Sequence, residues 1–132
     1  MSYTERKKLF EEFSAIRKHP MITYVTSIRP NLSVNMSSDS LPEIINIVNL
    51  IPEEVKAIDF MIISNGGDPI TSLRIISILR ERFEHITVIV PYVAYSAATI
   101  LALGADDIMM HPFSNLGPVD PQLTIAKTNM MG

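Results

Sequence analysis

Ala57-Ile58-Asp59-Phe60-Met61-Ile62-Ile63-Ser64-Asn65-Gly66-Gly67-Asp68-Pro69-Ile70 decides how the rest of the chain is read. Its first seven residues form an almost unbroken apolar run of strand length, as expected for a strand covered on both faces. The glycine pair stops the run, and Pro69 stands where a helix can begin. Ile70, Leu73, Ile76, Leu79 and Phe83 then recur at helical spacing, with Arg74, Arg80 and Glu81 on other sides.

Working outward, His85 to Val90 reads as a further strand and Pro91 to Tyr95 as a short connection. Ser96 to Leu103 is a compact apolar helix with Gly104 at its expected stop, and Asp107 to Met110 is another short strand. Strand, helix, strand, helix, strand from Ile58 to Met110 predicts an α/β fold of repeated βαβ units with a largely parallel sheet. Upstream, Met21 to Ile28 reads as a strand, and Asp39 or Ser40 caps a helix running to about Leu50 with Pro42 in its first turn.

Residues 4 to 18 carry Leu9, Phe10, Phe13 and Ile16 at helical spacing, with Thr4 placed as the cap. This predicts a surface amphipathic helix that packs on the domain or on a neighbouring subunit rather than anchoring in a membrane. The expected organisation is an N-terminal helix over residues 1–20 and one α/β domain over residues 21–132. From His111 onward the chain is rich in turns and holds only a weak strand signal at Leu123 to Ile125. Lys127 to Gly132 completes no element, so the expectation is a domain that continues beyond this sequence.

Composition narrows the function classes. Eleven Lys and Arg against fourteen Asp and Glu give a net charge of −3, and Arg6-Lys7-Lys8 is the only three-residue basic run, which argues against nucleic acid as a partner. The chain has no cysteine, so thiolate nucleophiles, thiolate metal sites and disulfides are excluded. No stretch approaches the roughly 20 apolar residues of a membrane span, and the start lacks a signal core. A cytoplasmic location is the expectation, with no cofactor and no metal.

The chemistry concentrates at two strand ends. Ligands of a parallel sheet gather beyond the carboxyl ends of its strands, and both Gly66-Gly67 and Ser96 fall there. Glycines allow a sharp turn and expose N–H groups at the next helix, and Ser96 opens a helix with the Ala97 N–H beside it. One donor from each turn would make an oxyanion hole next to a nucleophile. Each feature also has a plainer reading: a tight turn for the glycines and a helix cap for the serine. Asp68 reads mainly as the cap of the helix that follows. Asp106 and Asp107, adjacent at a strand start, are expected on opposite faces and not as an acid-base couple. The G-x-G-x-x-G and P-loop patterns of nucleotide sites are absent.

In combination the motifs resemble those of the Clp-fold serine peptidases. Ser64-Asn65-Gly66-Gly67 stands where that group has its Ser-Pro-Gly-Gly-type turn, and Ala94-Tyr95-Ser96-Ala97-Ala98 stands at its nucleophile segment. Ala102-Leu103-Gly104-Ala105-Asp106-Asp107-Ile108-Met109-Met110 and Leu116-Gly117-Pro118-Val119-Asp120-Pro121-Gln122 narrow the match. The chain is similar to the serine dehydrogenase proteinase family, a relative of the Clp protease proteolytic subunit and of signal peptide peptidase A. The resemblance implies a ClpP/crotonase-like spiral and peptide-bond hydrolysis through an acyl-enzyme on Ser96. Gly66, Gly67 and Ala97 would supply oxyanion N–H groups, and Asp120 would be the acid of a triad ordered Ser, Asp, His. It also implies a peptide or protein substrate and a homo-oligomer.

This sequence departs from that order, because no histidine follows Asp120. His111, at the same sheet end as Ser96, is the histidine placed nearest the site, whereas His19 and His85 read as surface residues. Lys127 offers a Ser-Lys alternative, and a base beyond residue 132 or from another subunit is a third. Two other functions share the fold: a crotonase-type acyl-CoA enzyme using the same oxyanion hole, and a catalytically inactive scaffold.

Overall fold

The computed structural model describes residues 1–119 of the 132-residue chain. Four parallel strands, β1 (Met21–Val25), β2 (Ala57–Ile63), β3 (His85–Val90) and β5 (Asp107–Met110), lie side by side in that order. Each new strand is therefore added to the same edge. Helices α2 (Leu41–Leu50), α3 (Pro69–Arg82) and α4 (Ala97–Leu103) form the connections.

One sheet face holds the core. The register places Ile22, Phe60, Val88 and Ile108 in one row across the four strands. Ile44, Val48, Ile75, Leu79, Ala98 and Leu101 of the helices cover this face, and Phe60 and Leu79 are fully buried. Burying each such large side chain contributes about 1.5–3 kcal/mol. The opposite face is not equally covered: its row Thr23, Met61, Ile89, Met109 leaves Met109 partly exposed, and Val25 beside it faces solvent. The apolar run of β2 thus reflects one core face and one half-buried face.

Several local expectations change. Strand β1 ends at Val25, three residues early, and the chain passes through an irregular segment and a 3-10 turn (Ser38–Ser40) before α2. Ser40 stands at the cap position of α2 without bonding the helix; its hydroxyl donates to the Ser37 carbonyl and accepts from Tyr24. Helix α1 (Tyr3–Arg17) is capped by Ser2, not Thr4. The Ser2 hydroxyl accepts the Glu5 N–H while the Glu5 carboxylate accepts the Ser2 N–H. That backbone donor holds the Glu5 carboxyl below its usual range.

Helix α1 has no buried residue: on its apolar side Leu9, Phe10 and Ile16 are exposed and Phe13 is half-buried. It is tied to the sheet by charge. The Arg17 guanidinium donates twice to Asp59 on β2, at 2.9 and 3.1 Å, and the Asp59 side chain has no exposed surface. The hydrogen bond to Asp59 raises the Arg17 pKa further. Among the described residues no helix is long and apolar enough to cross a membrane.

Two short strands lie in segments that the sequence marks as connections and turns. Val93–Ala94 forms a two-residue strand, β4, paired in parallel with β6 (Asn115–Leu116). Ser64 adds to β4 on the other side through an isolated parallel bridge to Ala94. These short pairings stand apart from the main sheet and carry the chain into the site.

Candidate active site

The site lies where the turn after β2 meets the turn between β4 and α4. In the second turn Ser96 has φ 53° and ψ −119°, a strained backbone for a residue with a side chain. The plainer reading of Ser96 as a helix cap does not hold, because its hydroxyl makes no capping hydrogen bond and its backbone is not extended. A serine on a sharp strand-to-helix turn instead points its hydroxyl outward from the sheet end. Ser96 is half-buried, and among the described residues nothing bonds its Oγ.

The frame around Ser96 is heavily bonded. Ser72, fully buried on α3, donates to the Ala97 carbonyl. The Thr99 hydroxyl donates to the Ala94 carbonyl at 2.7 Å and accepts the Gly117 N–H at 3.2 Å. Gly117 sits under the Tyr95 ring, where a Cβ would lie 2.9 Å from the Tyr95 Cβ. The segment Leu116-Gly117-Pro118 therefore packs directly on the residue preceding Ser96.

The two glycines have different tasks. Gly66 has φ +106°, and a Cβ there would stand 2.7 Å from the Tyr95 oxygen, 2.8 Å from the Ser96 Cβ and 3.2 Å from the Ala97 nitrogen. Its lack of a side chain lets the turn after β2 touch the serine turn. Gly67 has φ +148°, and a Cβ would meet the Met36 nitrogen at 2.5 Å. Met36 pairs there in parallel: its N–H donates to the Gly66 carbonyl and its carbonyl accepts the Asp68 N–H.

This pairing separates the candidate oxyanion donors. The Gly66 N–H is bonded to the buried Ser64 Oγ at 3.0 Å, so it is not available to a substrate in this arrangement. In a parallel bridge the flanked residue turns its own N–H and C=O to the opposite side, which directs the Gly67 N–H away from Met36. Neither the Gly67 nor the Ala97 N–H has an acceptor among the described residues. Gly66 thus shapes the site by contact, and Gly67 and Ala97 carry the uncommitted donors.

The charged candidates separate in the same way. Asp68 is the cap of α3: its carboxylate accepts from the Ile70 and Thr71 N–H groups at 3.1 Å each and from the Thr71 hydroxyl at 2.7 Å. The Thr71 hydroxyl, with these N–H groups and Arg74, holds its carboxyl below the usual range. His111 follows β5 at the same sheet end as Ser96, but its Nδ1 accepts the Phe113 N–H at 3.2 Å and its ring rests on Phe113. A neutral imidazole that accepts at Nδ1 carries its proton on Nε2, and so does not take a second one there without changing tautomer.

At the opposite sheet end, Asp106 and Asp107 both approach His85, Asp107 at 2.8 Å from Nε2 and Asp106 at 4.0 Å from Nδ1. Asp106 also accepts from Arg80 and from the Ile86 N–H, and Arg80 foremost lowers its pKa. Asp120 and Lys127 lie outside the described residues. Among the described residues no cluster of three His, Asp or Glu could hold a metal ion.

The sequence profile of the ClpP-like SDH-type serine proteinases matches residues 5–130. The chain is 40% identical over 81 residues to protein MJ1495 of Methanocaldococcus jannaschii, covering 61% of this chain and 27% of that protein. It is 32% identical over 127 residues to protein MJ0137 of the same organism, covering 89% of this chain and 43% of that one. The chain therefore spans less than half the length of these relatives. A crystal structure from Streptomyces coelicolor A3(2) that carries the name enoyl-CoA hydratase superposes with a TM-score of 0.51 at 16% identity, over 73% of this chain and 44% of that one. That likeness, with the parallel sheet, establishes the ClpP/crotonase-like fold.

Proposed function

Because the chain belongs to the ClpP-like SDH-type serine proteinases, we propose that it hydrolyses peptide bonds through an acyl-enzyme on Ser96. The observation that carries this reading is the strained Ser96 backbone directly against Gly66 and beside two uncommitted N–H groups. Strain at a half-buried hydroxyl without a partner has no structural benefit here, whereas it presents a nucleophile. Ser96 Oγ attacks the carbonyl carbon of the substrate, and the Gly67 and Ala97 N–H groups donate to the developing oxyanion. The hydroxyl proton passes to a base and then to the leaving amine; water completes the second half of the reaction. In the family order Asp120 orients that base.

A crotonase-type acyl-CoA reaction would use the same pair of donors. The Ser96 geometry favours the peptidase, because polarising a thioester carbonyl calls for donors and not for a strained hydroxyl between them. The test is hydrolysis of an unstructured fluorogenic peptide by the full-length protein. Cleavage that disappears in Ser96→Ala is expected; cleavage that persists in Ser96→Ala, or no cleavage alongside saturable acyl-CoA binding, would overturn the reading.

A further inference from the structure

Ser64 stands at the end of β2 with no exposed surface and takes no part in the chemistry above. Its bonds nevertheless reach both halves of the site. Its backbone N–H donates to the Val93 carbonyl and its carbonyl accepts the Tyr95 N–H, each at 3.0 Å, so it grips β4 on both sides of Ala94, two residues before Ser96. Its Oγ accepts the Gly66 N–H at 3.0 Å and the Thr26 hydroxyl at 2.7 Å. The Ser64 proton is directed at the Gly66 carbonyl, 3.4 Å away. Thr26 is buried as well, and its own N–H is fixed on the Ile63 carbonyl at 3.0 Å.

This network uses the whole hydrogen-bonding capacity of one serine: two bonds accepted and one donated. Without it the Gly66 N–H, whose residue touches Ser96 and Ala97, would be a loose third donor, the Asn65–Gly66 peptide would lose the bond that fixes it, and the Gly66–Gly67 peptide would be held by Met36 alone. We infer that Ser64 and Thr26 are positioning residues of the oxyanion hole, holding the Gly66 N–H out of the reaction while the Met36 pairing turns the Gly67 N–H toward it. The inference rests on the acyl-transfer reading of Ser96.

Fluorophosphonate labelling of Ser96, which needs the oxyanion donors, tests it in the full-length protein, with circular dichroism confirming that each variant is folded. Ser64→Ala is expected to slow labelling about 10–100-fold, as a misplaced donor does. Thr26→Val, which keeps shape but removes the hydroxyl, is expected to slow it about 3–10-fold, and Thr26→Ser, which restores the donor, to stay within about twofold of wild type. In peptide hydrolysis the losses should appear in kcat with KM unchanged, whereas a general loosening of the fold would move both. Should Ser64→Ala not fold, the Thr26 pair decides alone. A labelled wild type with folded Ser64→Ala or Thr26→Val labelling within twofold of it, or Thr26→Ser as slow as Thr26→Val, overturns the assignment alone. No labelling of wild type overturns the acyl-transfer reading and this assignment with it.

Discussion

After β2 the chain leaves its strand through a turn in which Ser64 is buried and fully bonded, whereas after β4 it leaves through a turn in which Ser96 is half-buried and strained, with its hydroxyl unbonded among the described residues. Both are serines at strand ends, and the two turns touch at Gly66. The difference lies in what each backbone must do. The first turn must hold still, so its polar groups are tied to Thr26, Gly66 and β4. The second must present a reactive hydroxyl, and its strain of about 1–3 kcal/mol is borne by the bonded frame of Ser72, Thr99 and Ser64 around it.

The largest expected effect comes from breaking the contact between the turns. Gly66→Ala puts a Cβ into the Tyr95 carbonyl and the Ser96 Cβ at a backbone angle that favours glycine. It should slow fluorophosphonate labelling of Ser96 by about a hundredfold or more and destabilise the protein by about 3 kcal/mol in urea unfolding. Substitution at the strained turn should have the opposite sign for stability. Ser96→Gly removes the nucleophile and the strain together, so labelling is lost while unfolding becomes harder by about 1 kcal/mol. Ser96→Ala loses labelling without that gain, and equal stability of the two variants would show that the strain is not real.

Smaller effects follow away from the contact. Asp68 caps the helix that follows the bonded turn, and its folded pKa is depressed by the Thr71 hydroxyl and the N–H groups of the first helical turn. A depressed folded pKa gives stability that is present above the unfolded value and lost as pH falls through the folded one. Asp68→Ala should therefore lower the urea midpoint at pH 7, and the gap from wild type should close as pH drops below the ordinary carboxylate range. A gap of the same size at every pH would contradict the capping role. The smallest effect is expected at His111, whose ring serves the turn at Phe113. His111→Gln should label within about threefold of wild type; a loss comparable to the roughly 10²–10⁴-fold of a missing general base would return it to the reaction.

The sequence made some of this legible and hid the rest for physical reasons. Strands β2, β3 and β5 and helix α3 stand where apolar runs and helical spacing predict them, because each is long enough to show a period or ends at a clear break. Two-residue strands such as β4 and β6 have no period to read. Gly66, Gly67 and Ser96 were visible as a set, yet the separate tasks of the glycines depend on Met36 and Tyr95, which are distant in the chain. The strain at Ser96 is hidden in the sequence because Tyr95 and Ala97 on either side of it give no sign of a forced turn. Gly104 stands at the helix stop where the sequence puts it, but the reason for a glycine is distant in the chain: its φ is −79°, and a Cβ there would strike Ile76 at 2.7 Å. The link from Thr26 to Ser64 spans 38 residues and exists only once β1 and β2 are paired.

The central claim is that Ser96, and not the better-held Ser64, is the nucleophile. Reaction of the full-length protein with a fluorophosphonate, followed by mass spectrometric mapping of the modified peptide, tests it most directly. The predicted result is one adduct, on Ser96, that is absent in Ser96→Ala. An unmodified Ser96 in the folded protein, or an adduct that persists in Ser96→Ala on another serine, would contradict it.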